Sequence, residues 1–235
     1  MNRAPAFEVT DPGVIAGLVR DLAFAQVVTS GDGGLVASSV PLLLEVPGGD
    51  RPWRLRGHLA RSNPQAGIGT AVVPALALFV GPHAYVSPSV YPSKVGTGRV
   101  VPTWNFVEVH AHGTFRLTDE TDLTLAAVTD LTDVHEASRP ESWRVADAPE
   151  DYVSRLVRGI VAFEIVVERV EAKAKLSQNK SAEDRRGVVE DLATRPGGGA
   201  GVAELMRSGR FERDDPTPGR PGPTGTPAAS STEMP

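Results

Sequence analysis

FVGPHAYVSPSVYPSKVGTGRVVPTWNFVEVHAHG, residues 79–113, is the stretch around which the fold is organised. It holds three of the five histidines, two of the three tyrosines and Trp104, and it is dense in Pro and Gly. Apolar runs flank a middle, 88–98, that is poor in core-forming residues. That pattern predicts two strands joined by a long loop, with the loop and strand ends building a ligand site. Thr103 to Leu117 (TWNFVEVHAHGTFRL) reads as one long strand. Trp104, Phe106, Glu108, His110 and His112 fall on one face, and Asn105, Val107, Val109 and Ala111 on the other.

Upstream, Asp11-Pro12 has the form of a helix start, and Val14, Ile15, Leu18, Val19 and Leu22 follow at helical spacing. FAQVVTS (24–30) reads as a strand, Gly31 to Gly34 as a turn, and LVASSVPLLLEV (35–46) as the returning strand. Pro41 removes a ladder donor, so a break, bulge or edge is expected there. WRLRGHL (53–59) and ALALFV (75–80) are further strands, and 60–69 suits a short capped helix. Downstream, Thr118 and Pro149 open helices, IVAFEIVVERV (160–170) is a strand, and Ser181 starts a charged helix reaching about Leu192. Pro196 to Gly201 reads as a flexible linker and Val202 to Met206 as a short helix. The Pro, Gly, Thr, Ser and Ala-rich residues 214–235 have the composition of a disordered tail. Strands do not alternate regularly with helices, which favours an antiparallel barrel with peripheral helices over a doubly wound parallel sheet.

The net charge is −5, which weighs against a non-specific hold on nucleic acid. There is no cysteine, so disulfides, thiolate metal sites and a cysteine nucleophile are excluded. The N-terminus lacks a signal-peptide run and no segment is long and apolar enough to span a membrane, so a soluble, cytoplasmic chain is expected.

Five groups could carry chemistry. His58, Arg61 and Ser62 lie where a strand meets a short helix, which suits a phosphate, although a helix cap at Ser62 or Asn63 beside a solvated Arg61 is the more frequent case. Ser38 and Ser39 are small hydroxyls in an apolar strand. His110 and His112 share a strand face, but two half-buried histidines without a metal are the more frequent case. Trp104 and Asn105 pair an aromatic plane with an amide. Lys173 to Lys180 is locally basic. His135-Glu136 is not part of an HExxH motif because position 139 is Arg, and no GxSxG, P-loop or GxGxxG motif occurs.

VPLLL (40–44), LRGHLARSNPQ (55–65), FVGPHAYVSPSVYPSK (79–94), VPTWNFVEVHAHG (101–113), LTDVHE (131–136) and EAKAKLSQNKSAEDRRGVV (171–189) together resemble the PaiB family of FMN-binding negative transcriptional regulators. The resemblance runs in order across residues 1–192. It implies a mainly β fold with peripheral helices, a six-stranded antiparallel split β-barrel occupying 1–194, and a homodimer with FMN at the subunit interface. It also implies the site. Ser38, Ser39, His58, Arg61 and Ser62 would hold the phosphate end, and Lys94, Trp104 and Asn105 of the partner chain would cover the ring. No metal is implied. Related oxidases often carry Arg or Lys where this chain has Ser38-Ser39. Direct DNA contact is a further implied partnership, with only the Lys173–Lys180 run and Arg185-Arg186 locally basic. The other classes in view are an FMN-dependent oxidoreductase and, last, a haem-binding split barrel. If Arg61 holds the phosphate, Arg61→Ala should weaken FMN by roughly 1.5–3 kcal/mol.

Overall fold

Asp11 caps the first helix, α1 (Pro12–Leu22), by accepting from the Val14 amide at 2.8 Å. Its apolar stripe, Ile15, Leu18 and Val19, is buried. The computed structural model describes residues 1–211 apart from residues 3, 32 and 50. The tail expected over residues 214–235 lies outside the described residues.

The sheet contains β1 (Glu8–Val9), β2 (Phe24–Gly31), β3 (Gly34–Pro41), β4 (Leu43–Glu45), β5 (Arg54–Ala60), β6 (Val73–Val86), β7 (Thr103–Thr118) and β8 (Ile160–Lys175). Neighbours run antiparallel in the order β3-β2-β6-β7-β8-β5-β4, with β1 on β8. Among the described residues eight strands thus stand where six were expected, and the ladder path is open. The returning strand is divided at Pro41-Leu42, as its missing N–H donor predicts. Its first part pairs with β2 and its second with β5, and β1 is an added short strand.

The long strands bury one face. Phe79 on β6, Val109 and Phe115 on β7, and Phe163 and Ile165 on β8 are almost solvent-free, and Phe115 stacks on Phe163 at 4.8 Å. Two irregularities bend this layer. The β6–β7 register shifts between Val80 and His83, and the β7–β8 register shifts between His112 and Gly113.

α3 (Thr121–Glu136) and α4 (Glu150–Val157) lie beside β8, with α3 also on β5. α5 (Ala182–Ala193) and α6 (Gly198–Arg207) pack on each other and over β6. Residues 198–201 differ from the linker expectation because they begin α6. A Cβ at Gly198 would sit 2.4 Å from the His83 carbonyl oxygen, so glycine lets this helix lie directly on the β6 backbone.

The connection from β6 to β7 has little regular structure beyond a 3-10 turn (Pro88–Val90) and the short α2 (Lys94–Thr97). It is tied down by α5. The buried Asp184 carboxylate accepts from the Ser93 amide at 3.1 Å and its hydroxyl at 2.8 Å. Burial alone would raise the Asp184 pKa, but these bonds and Lys180 hold it below the ordinary value. The folded form therefore binds this proton less readily than the unfolded form. The contribution is present above the ordinary aspartate value of about 3.9 and is lost as pH falls below it through the depressed folded value. Asp184→Ala should cost about 2 kcal/mol at neutral pH, and its deficit against wild type in urea melts should shrink on acidification. An equal deficit at pH 7 and pH 3 would contradict this role.

Candidate functional site

Alternation along the strands sorts the candidate residues onto two faces. On β7, Asn105, Val107, Val109 and Ala111 point inward and are buried, whereas Trp104, Phe106, Glu108, His110 and His112 point outward. The outward row continues across register partners. Ser39, Gln26, Leu78, His110 and Glu171 form one line, and Val80, Glu108 and Lys173 the next. This face is partly exposed over β2, β3, β6 and β7, and ends at an aromatic group. The His83 and Trp104 ring centroids are 6.0 Å apart, and Tyr85 meets Trp104 edge-on at 6.3 Å. Trp104 is 52% exposed. An exposed indole with two more rings beside it offers stacking area for a flat heterocycle.

Lys94 lies on α2 with an exposed side chain and makes no ion pair among the described residues. Asn105 departs from the ring-binding expectation. Its side chain is fully buried, with Nδ2 donating to Ser177 Oγ at 3.0 Å and lying 3.6 Å from Met206 Sδ. Adjacent residues on a strand face opposite ways, so Trp104 and Asn105 cannot meet one ligand surface.

The same rule separates Ser38 from Ser39. Ser38 is paired with buried Val27 and faces inward, whereas Ser39 is exposed opposite Gln26. Ser38 Oγ accepts from Asn63 Nδ2 at 2.9 Å. Asn63 also caps the 3-10 turn Pro64–Ile68, accepting from the Gln65 amide at 2.8 Å. Ser62 is exposed and is not the cap. Gln65 is buried, and its Nε2 donates to the Val27 carbonyl and the Thr29 hydroxyl. Asn63 and Gln65 are thus the polar groups that organise this corner. The Asn-Pro-Gln sequence after the strand carried that signal.

His58 lies on the β5 face that also carries Arg56, which ion-pairs with Asp130 of α3 at 2.7 Å. Its Nδ1 is buried without a hydrogen bond, and burial pushes the imidazole pKa down. No hydrogen bond joins His58 to Ser38 or Ser39 among the described residues. Arg61 is engaged. Its Nε donates to the Arg158 carbonyl at 3.0 Å and its NH2 to Asp119 Oδ1 at 2.6 Å. Both side chains are substantially exposed, so the pair is worth less than about 1 kcal/mol to the fold. An acidic partner at 2.6 Å also competes with any phosphate. Asp119→Ala is expected to tighten FMN if Arg61 holds the phosphate and to leave it unchanged if Arg61 only straps the turn to the start of β8; fluorescence titration with FMN distinguishes the two.

On β7 and β8, His112 Nε2 lies 3.5 Å from Glu171 Oε2, and His110 Nε2 lies 3.6 Å from Glu108 Oε2. Burial, with Arg169 adding to it, pushes the His112 imidazole below its usual pKa, while Glu171 works the other way.

The family described as "Putative FMN-binding domain" matches residues 1–169. The chain belongs to this FMN-binding family. Its cofactor is FMN. The protein of Bacillus subtilis called protease synthase and sporulation protein PAI 2 is 34% identical over 203 residues, covering 85% of this chain and 93% of its own. An uncharacterized protein of Aspergillus fumigatus is 35% identical over 219 residues, covering 74% of this chain and 82% of its own. The PaiB-type resemblance read from the motifs is thereby shown. The FAD and heme binding protein of Mycobacterium smegmatis superposes with a TM-score of 0.53 at 15% identity, over 76% of this chain and 78% of its own. That likeness establishes a shared fold, a mainly antiparallel sheet with several helices. No helix among the described residues is long and apolar enough to cross a membrane.

The residues present fit a flavin at the ring end, where Trp104, Tyr85 and His83 leave an exposed aromatic surface. The 61–63 turn offers the hydroxyl of Ser62 and the guanidinium of Arg61, the latter shared with Asp119.

Proposed function

We propose that the chain works as an FMN-binding homodimer of the PaiB regulatory type, built on a six-stranded split barrel in which β3 and β4 count as one strand and β1 is an addition to β8. The observation that carries this reading is the outward face running from Ser39 to Trp104. It bears Leu78, Val80 and Phe106 among its polar residues, a composition suited to pairing with a second copy about a two-fold axis. In that arrangement Trp104 and Lys94 of one protomer cover the FMN ring, and Ser39, Ser62 and Arg61 of the other meet its phosphate. Ser38 acts through Asn63, and Asn105 and His58 support the site without touching the ligand. FMN supplies redox chemistry or a redox-sensitive shape; the protein orients it and shields it from water.

The lysines of the basic run already have contacts, which weighs against direct repression through that run. Lys175 donates to the Trp104 carbonyl at 3.0 Å, Lys173 to the Asn2 carbonyl at 2.9 Å, and Lys180 lies over the Tyr91 ring at 5.1 Å. DNA contact then falls on a surface created by the dimer.

The test is a visible spectrum of freshly purified protein with identification of the released ligand, sedimentation of the same sample, and gel shifts on neighbouring promoter DNA at two salt concentrations. A flavin spectrum, a dimer and a salt-sensitive shift are expected. A monomer that retains FMN would overturn the interface placement, and no shift at low salt would overturn direct repression.

A further inference from the structure

His110, His112 and Glu171 bring three metal-competent groups together on the outward face. Residues two apart on one strand share a face, and Glu171 is the direct register partner of His110 across the β7–β8 ladder. Their ligating atoms all lie within 4.8 Å of one another. His112 Nε2 is buried, makes no hydrogen bond and stands 3.5 Å from Glu171 Oε2. Ligands on a tetrahedral ion at bond lengths near 2.1 Å stand roughly 3.4 Å apart. The His112–Glu171 pair already has that spacing, and rotation of the His110 ring would complete the set. Glu108, 3.6 Å from His110 Nε2, is a fourth ligand in reach and a second carboxylate.

We propose that this cluster binds a first-row divalent transition metal of the zinc class. The donor set decides the class. Two imidazole nitrogens with one carboxylate suit zinc and its neighbours, whereas calcium and magnesium prefer all-oxygen surroundings. The cluster lies on the face proposed to pair with a second copy, so water fills its remaining coordination positions in the monomer and water or partner groups fill them in the dimer.

The surrounding charges bear on strength. Arg169 ion-pairs with Glu171 Oε1, and the Met1 ammonium sits 3.0 Å from Oε2. Lys173 faces Glu108 across the ladder. The ion must displace the ammonium from Oε2, so binding is weaker than the same ligands would give without these cations. The site does not depend on the flavin reading, since none of its ligands is assigned to FMN.

Cobalt(II) is the probe, titrated into untagged, chelator-treated protein in FMN-free and FMN-loaded forms. Ligand-field bands at one cobalt per chain are expected, with zinc displacing the cobalt. His112→Ala and Glu171→Gln should each weaken cobalt on the order of tenfold or more, since losing even an outer-shell partner costs that much. His135→Ala, at the far end of α3, should change nothing. Circular dichroism melts check that the variants fold, and His112→Gln replaces His112→Ala if that variant does not. A cobalt spectrum like that of the aquo ion, or binding unaffected by Glu171→Gln in a folded variant, would overturn the site. Flavin absorbance of the same samples reports the FMN reading separately.

Discussion

Gly113→Ala should lower stability by about 3 kcal/mol, at the upper end for overpacking in a tight site. A Cβ at Gly113 would lie 2.0 Å from the Val166 carbonyl oxygen and 2.9 Å from its carbon. Both atoms are β8 backbone, so no side-chain rotation relieves the clash. The position sits at the shift in the β7–β8 register, where Gly113 pairs with Val167 although His112 pairs with Arg169. Accommodating a methyl group means separating the two longest strands in the protein at the bend that Phe115 and Phe163 stack beneath. Against a total stability of roughly 5–15 kcal/mol, that is a large share. Urea midpoints at constant m-value measure it. A midpoint equal to wild type would mean that the ladder re-forms without the bend.

Trp104→Ala and Asn105→Ala should separate cleanly although the residues are adjacent. Trp104 is half-exposed, so its loss should leave the melting temperature nearly unchanged. It should weaken FMN about 5- to 150-fold, the value of one aromatic stacking contact of ~1–3 kcal/mol. Asn105→Ala should do the reverse. It leaves the buried Ser177 hydroxyl without its partner and opens space beside Met206, which together cost about 2–3 kcal/mol. FMN affinity of the variant, measured well below its melting temperature, should stay within about threefold of wild type. The reverse result, with Asn105→Ala stable and unable to bind, would restore Asn105 as a ligand and require α6 to open.

The strand framework was largely legible in the sequence because period-two alternation and turn residues are local signals. β2, β5 and β7 lie within a residue or two of their predicted spans, and the Pro41 interruption is present. β6 and β8 extend beyond their predicted ends, to Val86 and Lys175, because Pro, His and Lys residues there hide strands that neighbouring ladders enforce. The glycines before Val202 suggested a linker because composition carries no record of the backbone surface on which they pack. Within the site, the two-face rule was available for Trp104 and Asn105, and likewise for Ser38 and Ser39. Family motifs group such neighbours in one line of text, and only the pleat divides them. The Arg61–Asp119 and His112–Glu171 pairings join residues 58 and 59 positions apart in the chain, and no local pattern announces them.

β8 pairs with β7 along nearly its whole length, with β5, and with β1. Without it, the hairpins formed by β2, β3, β6 and β7 have no hydrogen-bonded link to β4 and β5. The sheet therefore cannot be completed on the ribosome until Lys175 has emerged, roughly 8 to 30 seconds after Phe24 is made at ordinary elongation rates. During that interval the edges of β7 and β5 are unpaired and available to other nascent chains. A strand that arrives last and closes three pairings makes folding a late, long-range event. Production of this protein should therefore depend more on slow translation and chaperone supply than its thermodynamic stability would suggest.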